Sequence, residues 1–499
     1  MSLIADPRTR ARFDLGAVTA PVPPMDGLLA ELGDALEASG ARYCQWKGHT
    51  RRDRWVTAAG DLDLLVHRAD AAAFGSALER LGFKLAMAGP ALLLPGVVSY
   101  LGHDPALERL VHVHAHYRLV LGSPWRWHYL LPIESEVLEA SVPRAPFRAP
   151  SPAHALLLFV LNQTLRHEVA DLWRREPAWL RAIEPELHLL ESATDRRQVR
   201  RELERLLPQV EPGLFDRCLE SLRPEQPPGA RLAARAALER RLRALRRRPS
   251  PAAFPARLAA RARRHGLRGG WRWIPGKRLA SGGAVIALVG ADGAGKSSCA
   301  AALVQWLGAE LRTRHAHLGR PPRRLATLLA GASLKLARRI DRVRGALTPS
   351  ALTAHLELLR HVCTARDRYL LARGVRRFAA EGGLAVCERY PVPESHALAG
   401  PSAAQGLGLA ATSRLAGRLR QAEASYYAGI GAPDLVLVLR VDADTAVRRK
   451  TNEPPDYVHA RATLLEDVEW SGPSTRIVDA VRPFRDVLED LRDQIWRAL

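Results

Sequence analysis

Apolar and polar positions along the chain fall into distinct regimes. Residues 25–36 read as an amphipathic helix, and Tyr43-Cys44-Gln45-Trp46 as a short strand. Gly60-Asp61-Leu62-Asp63-Leu64-Leu65-Val66 places polar groups between apolar ones at the two-residue strand period, as does the stretch from Leu110 to Leu119. From residue 151 to about 222 the period lengthens. HALLLFVLNQTL, DLWRR, WLRAIEPELHLLES and RRELERLLPQV carry apolar residues three and four apart, which predicts a small helical bundle. Beyond residue 282 the pattern changes again. Ala284-Val285-Ile286-Ala287-Leu288-Val289 and Leu384-Ala385-Val386-Cys387 are continuous apolar runs suited to strands buried on both faces. Residues 352–380 form a long helical segment, 475–480 a last strand and 481–499 a closing helix. The expected fold class is α/β: a C-terminal parallel sheet flanked by helices, and an N-terminal α+β domain followed by a helical bundle. The expected boundaries are 1–150, 151–228, a basic helical linker over 229–281, and 282–499, with breaks at Pro224, Pro227 and Pro228.

Composition narrows the setting. A chain of 499 residues with 47% apolar content has room for two or three globular domains. No run approaches the ~18 apolar residues of a membrane span, and MSLIADPRTRARFDL lacks the apolar core of a signal peptide. Five cysteines without a C-x-x-C pair disfavour a disulfide framework or a thiolate zinc site, so a reducing cytoplasm is the expected location. The net charge of +22 favours anionic partners such as nucleotides, RNA or acidic membrane surfaces. The most basic region, 231–278, contains RRLRALRRR and ARARRHGLRGGWRW. It reads either as a solvated helix with a linker or as a patch for RNA or a membrane surface, and charge alone does not decide. Without a stacking-aromatic motif nucleic acid is not favoured, while peripheral membrane contact and a homodimer stay open.

One stretch carries chemistry on its own. Residues 290–297, Gly-Ala-Asp-Gly-Ala-Gly-Lys-Ser, fit the P-loop pattern G-x-x-x-x-G-K-[ST], with a buried strand before it and a helical pattern after it. Glycines at 290, 293 and 295 let the backbone wrap a polyphosphate, with peptide N–H groups and a helix N-terminus aimed at the anion. The residues expected against ATP are Gly290, Asp292, Gly293, Ala294, Gly295, Lys296, Ser297 and Ser298. Lys296 reaches the β- and γ-phosphates and Ser297 binds Mg²⁺.

A second constellation lies near the N-terminus. Asp61 and Asp63, two apart on a strand, project from one face and repel each other unless a cation sits between them. Mg²⁺ there would suit nucleotidyl transfer. Gly48, a spacer and Asp61-Leu62-Asp63, over roughly residues 25–130, resemble the nucleotidyltransferase superfamily. His49 follows the turn glycine where that family has serine or glycine, and His114 stands where its third carboxylate is expected. His112, His114 and His116 share a strand face; they read either as metal or phosphate ligands or as the polar side of a half-exposed strand.

The segment 282–499 resembles thymidylate kinases and their relatives. The resemblance rests on D-G-A-G-K-S, on Ala365-Arg366-Asp367-Arg368-Tyr369, on Glu388-Arg389-Tyr390 after a buried strand, and on Ala432-Pro433-Asp434-Leu435 leading to Val441-Asp442. It implies ATP-dependent phosphoryl transfer to a nucleoside monophosphate such as dTMP. The acceptor would be held by Asp292, Arg320, Arg368, Arg389 and Tyr390, and Mg²⁺ by Ser297 and Glu388. It also implies a basic lid from Ala446 through Arg461. Gly293 denies the loop an arginine of its own, so Arg448 and Arg449 of the lid join Lys296 and Arg389 as the expected catalytic groups. Arg368 and the lid arginines also read as surface ion pairs or a solvated face. PVPESHALAG after Arg389-Tyr390 follows the family loosely, which keeps two alternatives: a P-loop kinase of a sugar or other metabolite, for example in polysaccharide assembly, and a nucleotide-binding regulatory protein without turnover.

Overall fold

The computed structural model describes residues 27–48, 60–88, 96–122, 128–174, 177–247, 276–345, 348–395, 413–466 and 468–499. The expected N-terminal arm, His49 with the spacer after it, Trp271 to Pro275 with most of the basic segment, and residues 396–412 lie outside the described residues. Contacts divide the chain into two units. The first comprises Met1–Phe83, Pro90–Ala106 and Val111–Trp271; the second comprises Lys84–Gly89, Leu107–Leu110 and Arg272–Leu499.

In the first unit, helix α1 (Leu28–Ala38) buries Leu29, Leu32 and Leu36 at helical spacing. Strand β1 (Tyr43–Gln45) pairs antiparallel with β2 (Leu62–Val66), and helix α2 (Ala71–Arg80) follows. Strand β3 (Lys84–Met87) is counted with the second unit. Strand β4 (Val97–Asp104) and β5 (Arg109–His116) extend the sheet in the order β1-β2-β5-β4, with β5 parallel to β2. A smaller antiparallel sheet holds β6 (Leu119–Leu121), β7 (His128–Leu131) and β8 (Arg246–Arg247). Helices α3 (Glu134–Glu139), α4 (Pro152–Arg166), α5 (Val169–Leu172), α6 (Ala178–Ser192), α7 (Arg196–Leu206) and α8 (Pro212–Ser221) follow, then α9 (Pro228–Arg241). Helix α4 is buried on nearly every side, as an apolar helix at the centre of a bundle must be. Its start is fixed by Ser151, whose hydroxyl accepts from the His154 amide, and by Pro152 in the first turn. Helix α9, expected within the basic linker, buries Ala234 and Leu238 in the same core as α4 and α8. That core also takes in Leu119, Leu121, Tyr129 and Leu131, so bundle and small sheet are one packed body rather than two.

The second unit contains β9 (Arg278–Leu279), antiparallel to β3, and then the element the chain's apolar run predicted, β10 (Ala284–Gly290). Helix α10 (Lys296–Gly308), β11 (Thr313–His317), helices α11 (Leu325–Val343) and α12 (Ala351–Ala380), and β12 (Leu384–Glu388) come next. They are followed by α13 (Arg414–Ala428), β13 (Leu435–Arg440), α14 (Ala443–Arg449), α15 (Pro455–Glu466), β14 (Thr475–Asp479) and α16 (Phe484–Ala498). The five strands form a fully parallel sheet in the order β11-β12-β10-β13-β14. One face packs on α12 through Ala372, Val375 and Ala379. On helices α10 and α16, Trp306 and Trp496 meet edge to face at 6.3 Å. Asp434 pins the start of β10, its carboxylate accepting from the Val285 amide at 2.7 Å while its own amide donates back to the Val285 carbonyl. The chain leaves β10 towards β11 and leaves β13 towards β14, in opposite directions, so the C-terminal ends of these neighbouring strands open a crevice suited to a ligand. Among the described residues no helix is long and apolar enough to cross a membrane.

Candidate active site

The loop between β10 and α10 takes its shape from three left-handed glycines. Gly290 (φ 153°) and Gly293 (φ 93°) sit where a Cβ would come within 2.5 Å of the Leu439 and Ala446 carbonyl oxygens, so β13 and α14 leave no room for a side chain. Gly295 (φ 85°, ψ 10°) caps α10 and has nothing within 4 Å of its missing Cβ. The loop therefore presents its open side at the N-terminus of α10, where unpaired amides and the helix dipole favour an anion. Ala294 is buried against the loop, and Ser298 is exposed on the first turn of α10.

Lys296 is 7% exposed and its ammonium donates to the carbonyls of Gly290 (2.8 Å) and Ala291 (2.6 Å). Burial pulls its pKa down to about 8, against the opposing pull of Asp292. The Ser297 hydroxyl donates to Glu388 at 2.5 Å, and the other Glu388 oxygen lies 2.8 Å from His315 Nε2. Glu388 closes β12, the neighbour of β10, in register with Leu288 on one side and His317 on the other. Its carboxylate is 3% exposed and held between a loop hydroxyl and an imidazole.

Asp292 is the meeting point of three cations. Arg389 donates to one oxygen, Arg461 of α15 approaches the other at 3.3 Å, and Lys296 stands 3.9 Å away. Arg389 adopts φ 52°, a left-handed conformation that costs a non-glycine residue roughly 1–3 kcal/mol. Gly319 makes space for it, since a Cβ there would lie 2.7 Å from Arg389 Cδ. Beside the loop a shallow crevice is lined by Gly290, Ala291, Leu439, Arg440, Glu466 and Trp470 among others.

The structure thus brings together Gly290, Asp292, Gly293, Gly295, Lys296, Ser297, Glu388 and Arg389. Other expected site residues go elsewhere. Tyr390 is buried in the sheet core and its hydroxyl donates to the Gly431 carbonyl at 2.7 Å. Arg368 donates to the Leu318 carbonyl at 2.8 Å and to the Tyr427 hydroxyl, with its guanidinium 5.2 Å from the Tyr427 ring centre. Arg320 is exposed, its amide donating to His317 Nδ1. Arg448 donates to the Thr445 hydroxyl, and Arg449 to the Ala480 and Val481 carbonyls, so the arginine of the lid region that reaches the loop is Arg461. Arg461 closes the expected lid, though the expected catalytic arginines are Arg448 and Arg449; His315 belongs to no motif, and its one signal is its place two residues before His317 on a strand leading into the crevice mouth.

In the first unit Asp61 and Asp63 face the three alternating histidines of β5. His112 Nδ1 lies 2.6 Å from Asp61, His116 Nε2 lies 2.9 Å from Asp63, and His114 Nδ1 lies 3.6 Å from Asp61 and 3.4 Å from Asp63. The parallel register sets Asp63 opposite His114. Lys47 approaches Asp63 at 3.0 Å. Burial would raise the Asp63 pKa, but Lys47 and the histidines outweigh it and hold the carboxyl well below its ordinary range.

No protein-family model matches the chain. The ATP-binding protein YghR of Escherichia coli K12 is 27% identical over 224 residues, 42% of this chain and 86% of YghR. The ATP-binding protein YghS of the same organism is 26% identical over 229 residues, 43% of this chain and 93% of YghS. A solved thymidylate kinase from Candida albicans is 19% identical, covers 43% of this chain and 92% of its own, and has a TM-score of 0.29. The chain is therefore similar to ATP-binding proteins over less than half its length, and its second unit is an α/β domain with a P-loop after the central strand. The nucleotidyltransferase resemblance of the N-terminal region has no support in these comparisons.

Proposed function

We propose that the second unit binds ATP with Mg²⁺ and transfers the γ-phosphoryl group to a small acceptor. The observation that carries this reading is the convergence of Lys296, Arg389 and Arg461 on Asp292 beside a glycine-shaped loop. Moving a phosphoryl group between two anions needs both neutralised and held in line, with little covalent help from the protein. Asp292 stores three cations at the loop without leaving them unpaired, and each can turn a donor towards a phosphate oxygen. The similarity to YghR and YghS supports ATP as the nucleotide.

The residues present fit a hard cation. Ser297 and Glu388 offer a hydroxyl and a carboxylate 2.5 Å apart, all-oxygen donors of the kind Mg²⁺ takes. They would hold Mg²⁺, which would supply neutralisation of phosphate charge; His315 keeps the Glu388 carboxylate oriented.

For the acceptor, a nucleoside monophosphate of the dTMP type is the reading that the family resemblance favours, with Arg389 on its phosphate. A sugar or other metabolite is the rival, and one observation favours it. Arg368 and Tyr390, two of the residues expected on a nucleoside monophosphate, have their polar groups engaged by Leu318, Tyr427 and Gly431. Screening acceptors by ADP release from Mg²⁺-ATP separates the two. Turnover confined to dTMP and its analogues supports the first, turnover on a phosphorylated or hydroxylated sugar the second, and no release with any acceptor rejects phosphoryl transfer.

A further inference from the structure

The histidine cluster of the first unit takes no part in that reading. Its origin is a period: residues two apart on a strand share a face, so His112, His114 and His116 line one side of β5. The parallel partner β2 sets Asp63 against His114, and Asp61 lies just before its first residue. Two sets of three donors result, Asp61 with His112 and His114, and Asp63 with His114 and His116, the donor atoms of each lying within 4.8 Å of one another.

The His112–Asp61 pair at 2.6 Å is a hydrogen bond whose proton an ion would displace as the pair widens, whereas the His114 spacings already match a ligand set. His114 Nδ1 stands 3.4 and 3.6 Å from the two carboxylates, too long for a good hydrogen bond. Two donors bound to one ion through bonds of about 2.0–2.2 Å in a tetrahedral arrangement lie ~3.3–3.6 Å apart. Charge decides between the two sets. The Lys47 ammonium, 3.0 Å from Asp63, already neutralises that carboxylate and would repel a second cation beside it. Asp61 has imidazoles as its near partners, and its side chain is 47% exposed, which gives an ion an entry path and a place for water.

Donor chemistry names the class of ion. Two imidazole nitrogens with one carboxylate oxygen suit zinc and its transition-metal neighbours, whereas Mg²⁺ and Ca²⁺ take oxygen sets. We propose that Asp61, His112 and His114 bind one zinc-class divalent ion, with Asp63, His116 and Lys47 as the charged layer beside it. The Mg²⁺ expected from the two aspartates alone gives way to an ion that the histidines select.

The test is a titration of the full chain, stripped with EDTA and dialysed, with ZnCl₂ against a competing chromophoric chelator. The expected result is one ion per chain, with affinity reduced roughly tenfold or more by Asp61→Asn and by His114→Ala. Asp61 is exposed, so Asp61→Asn remains informative if His114→Ala does not fold. Co²⁺ in place of zinc should give visible ligand-field bands without thiolate charge transfer, which excludes capture by the five cysteines. Absence of zinc binding, affinity unchanged in Asp61→Asn, binding lost only with Asp63→Asn, or a thiolate band would each overturn the proposal. So would equal affinity for MgCl₂.

Discussion

Two glycines of the same loop should fail in different ways when alanine replaces them. Gly293 has φ 93°, and an added Cβ would sit 2.5 Å from the Ala446 carbonyl oxygen and 3.0 Å from its Cα, both backbone atoms that cannot rotate aside. Gly295 has φ 85° and open space around its Cβ position. The left-handed conformation costs an alanine ~1–2 kcal/mol at either position. A stiffer unfolded chain offsets about 0.4–1 kcal/mol of it. Gly293→Ala adds the clash with α14, for which overpacking suggests ~1–3 kcal/mol more. The expected losses of stability are therefore about 1 kcal/mol for Gly295→Ala and about 2–4 kcal/mol for Gly293→Ala. Calorimetric unfolding of the full chain measures the first quantity, and titration with Mg²⁺-ATP a second. The Gly295→Ala methyl stands on the open side of the loop, so that variant should keep its fold yet lose ATP affinity. Equal destabilisation by the two substitutions, or wild-type ATP affinity in Gly295→Ala, would refute the reasoning.

Further expectations follow from charge. Burial holds the Lys296 ammonium at about 8, so ATP affinity should fall as pH rises through that value; calorimetric titration from about pH 7 to about pH 9.5 showing flat affinity would contradict it. Asp292→Asn removes the carboxylate shared by Arg389, Arg461 and Lys296 and should cost about 1–3 kcal/mol, discounted for the partial exposure of the arginines. Added pyrophosphate should raise the melting temperature of that variant more than that of the wild type; equal shifts would remove Asp292 from its role as counter-ion. In the bundle, burial and then Arg166 and Arg235 push the His167 pKa down to about 3. The unfolded chain then binds the extra proton between about pH 6.5 and that value, so stability should fall as pH falls, by a few kcal/mol at most. His167→Asn should flatten the acid limb of a stability profile measured by urea unfolding, and an unchanged limb would contradict the assignment.

What the sequence made legible was what local chemistry dictates. The P-loop needs glycine at fixed offsets, and β10 needs apolar residues on both faces because helices cover both faces of a parallel sheet. The alternation of Asp61 with Asp63 and of the three histidines also declared a shared face. The spacing alone could not give the register of β2 on β5, which puts His114 between the carboxylates and changes the ion they suit. Arg368 and Tyr390 illustrate the other limit. Each lies where a motif would put a ligand-binding group, and each is turned inward by a carbonyl that arrives from a distant part of the chain. Arg461 is the converse, one arginine in a basic stretch, distinguished only by the folding of α15 over Asp292. Helix α9 reads as a charged linker because its arginines dominate the sequence, yet Leu238 is fully buried in the bundle core.

ATP-dependent chemistry in the second unit requires the loop at residues 290–297 to grip a triphosphate. Calorimetric titration of the purified full chain with ATP in the presence of Mg²⁺ tests this most directly. Saturable binding at one site per chain, abolished by Lys296→Ala in a variant that retains its circular dichroism spectrum, is the predicted result. No measurable affinity for ATP, or the same affinity in Lys296→Ala, would contradict it.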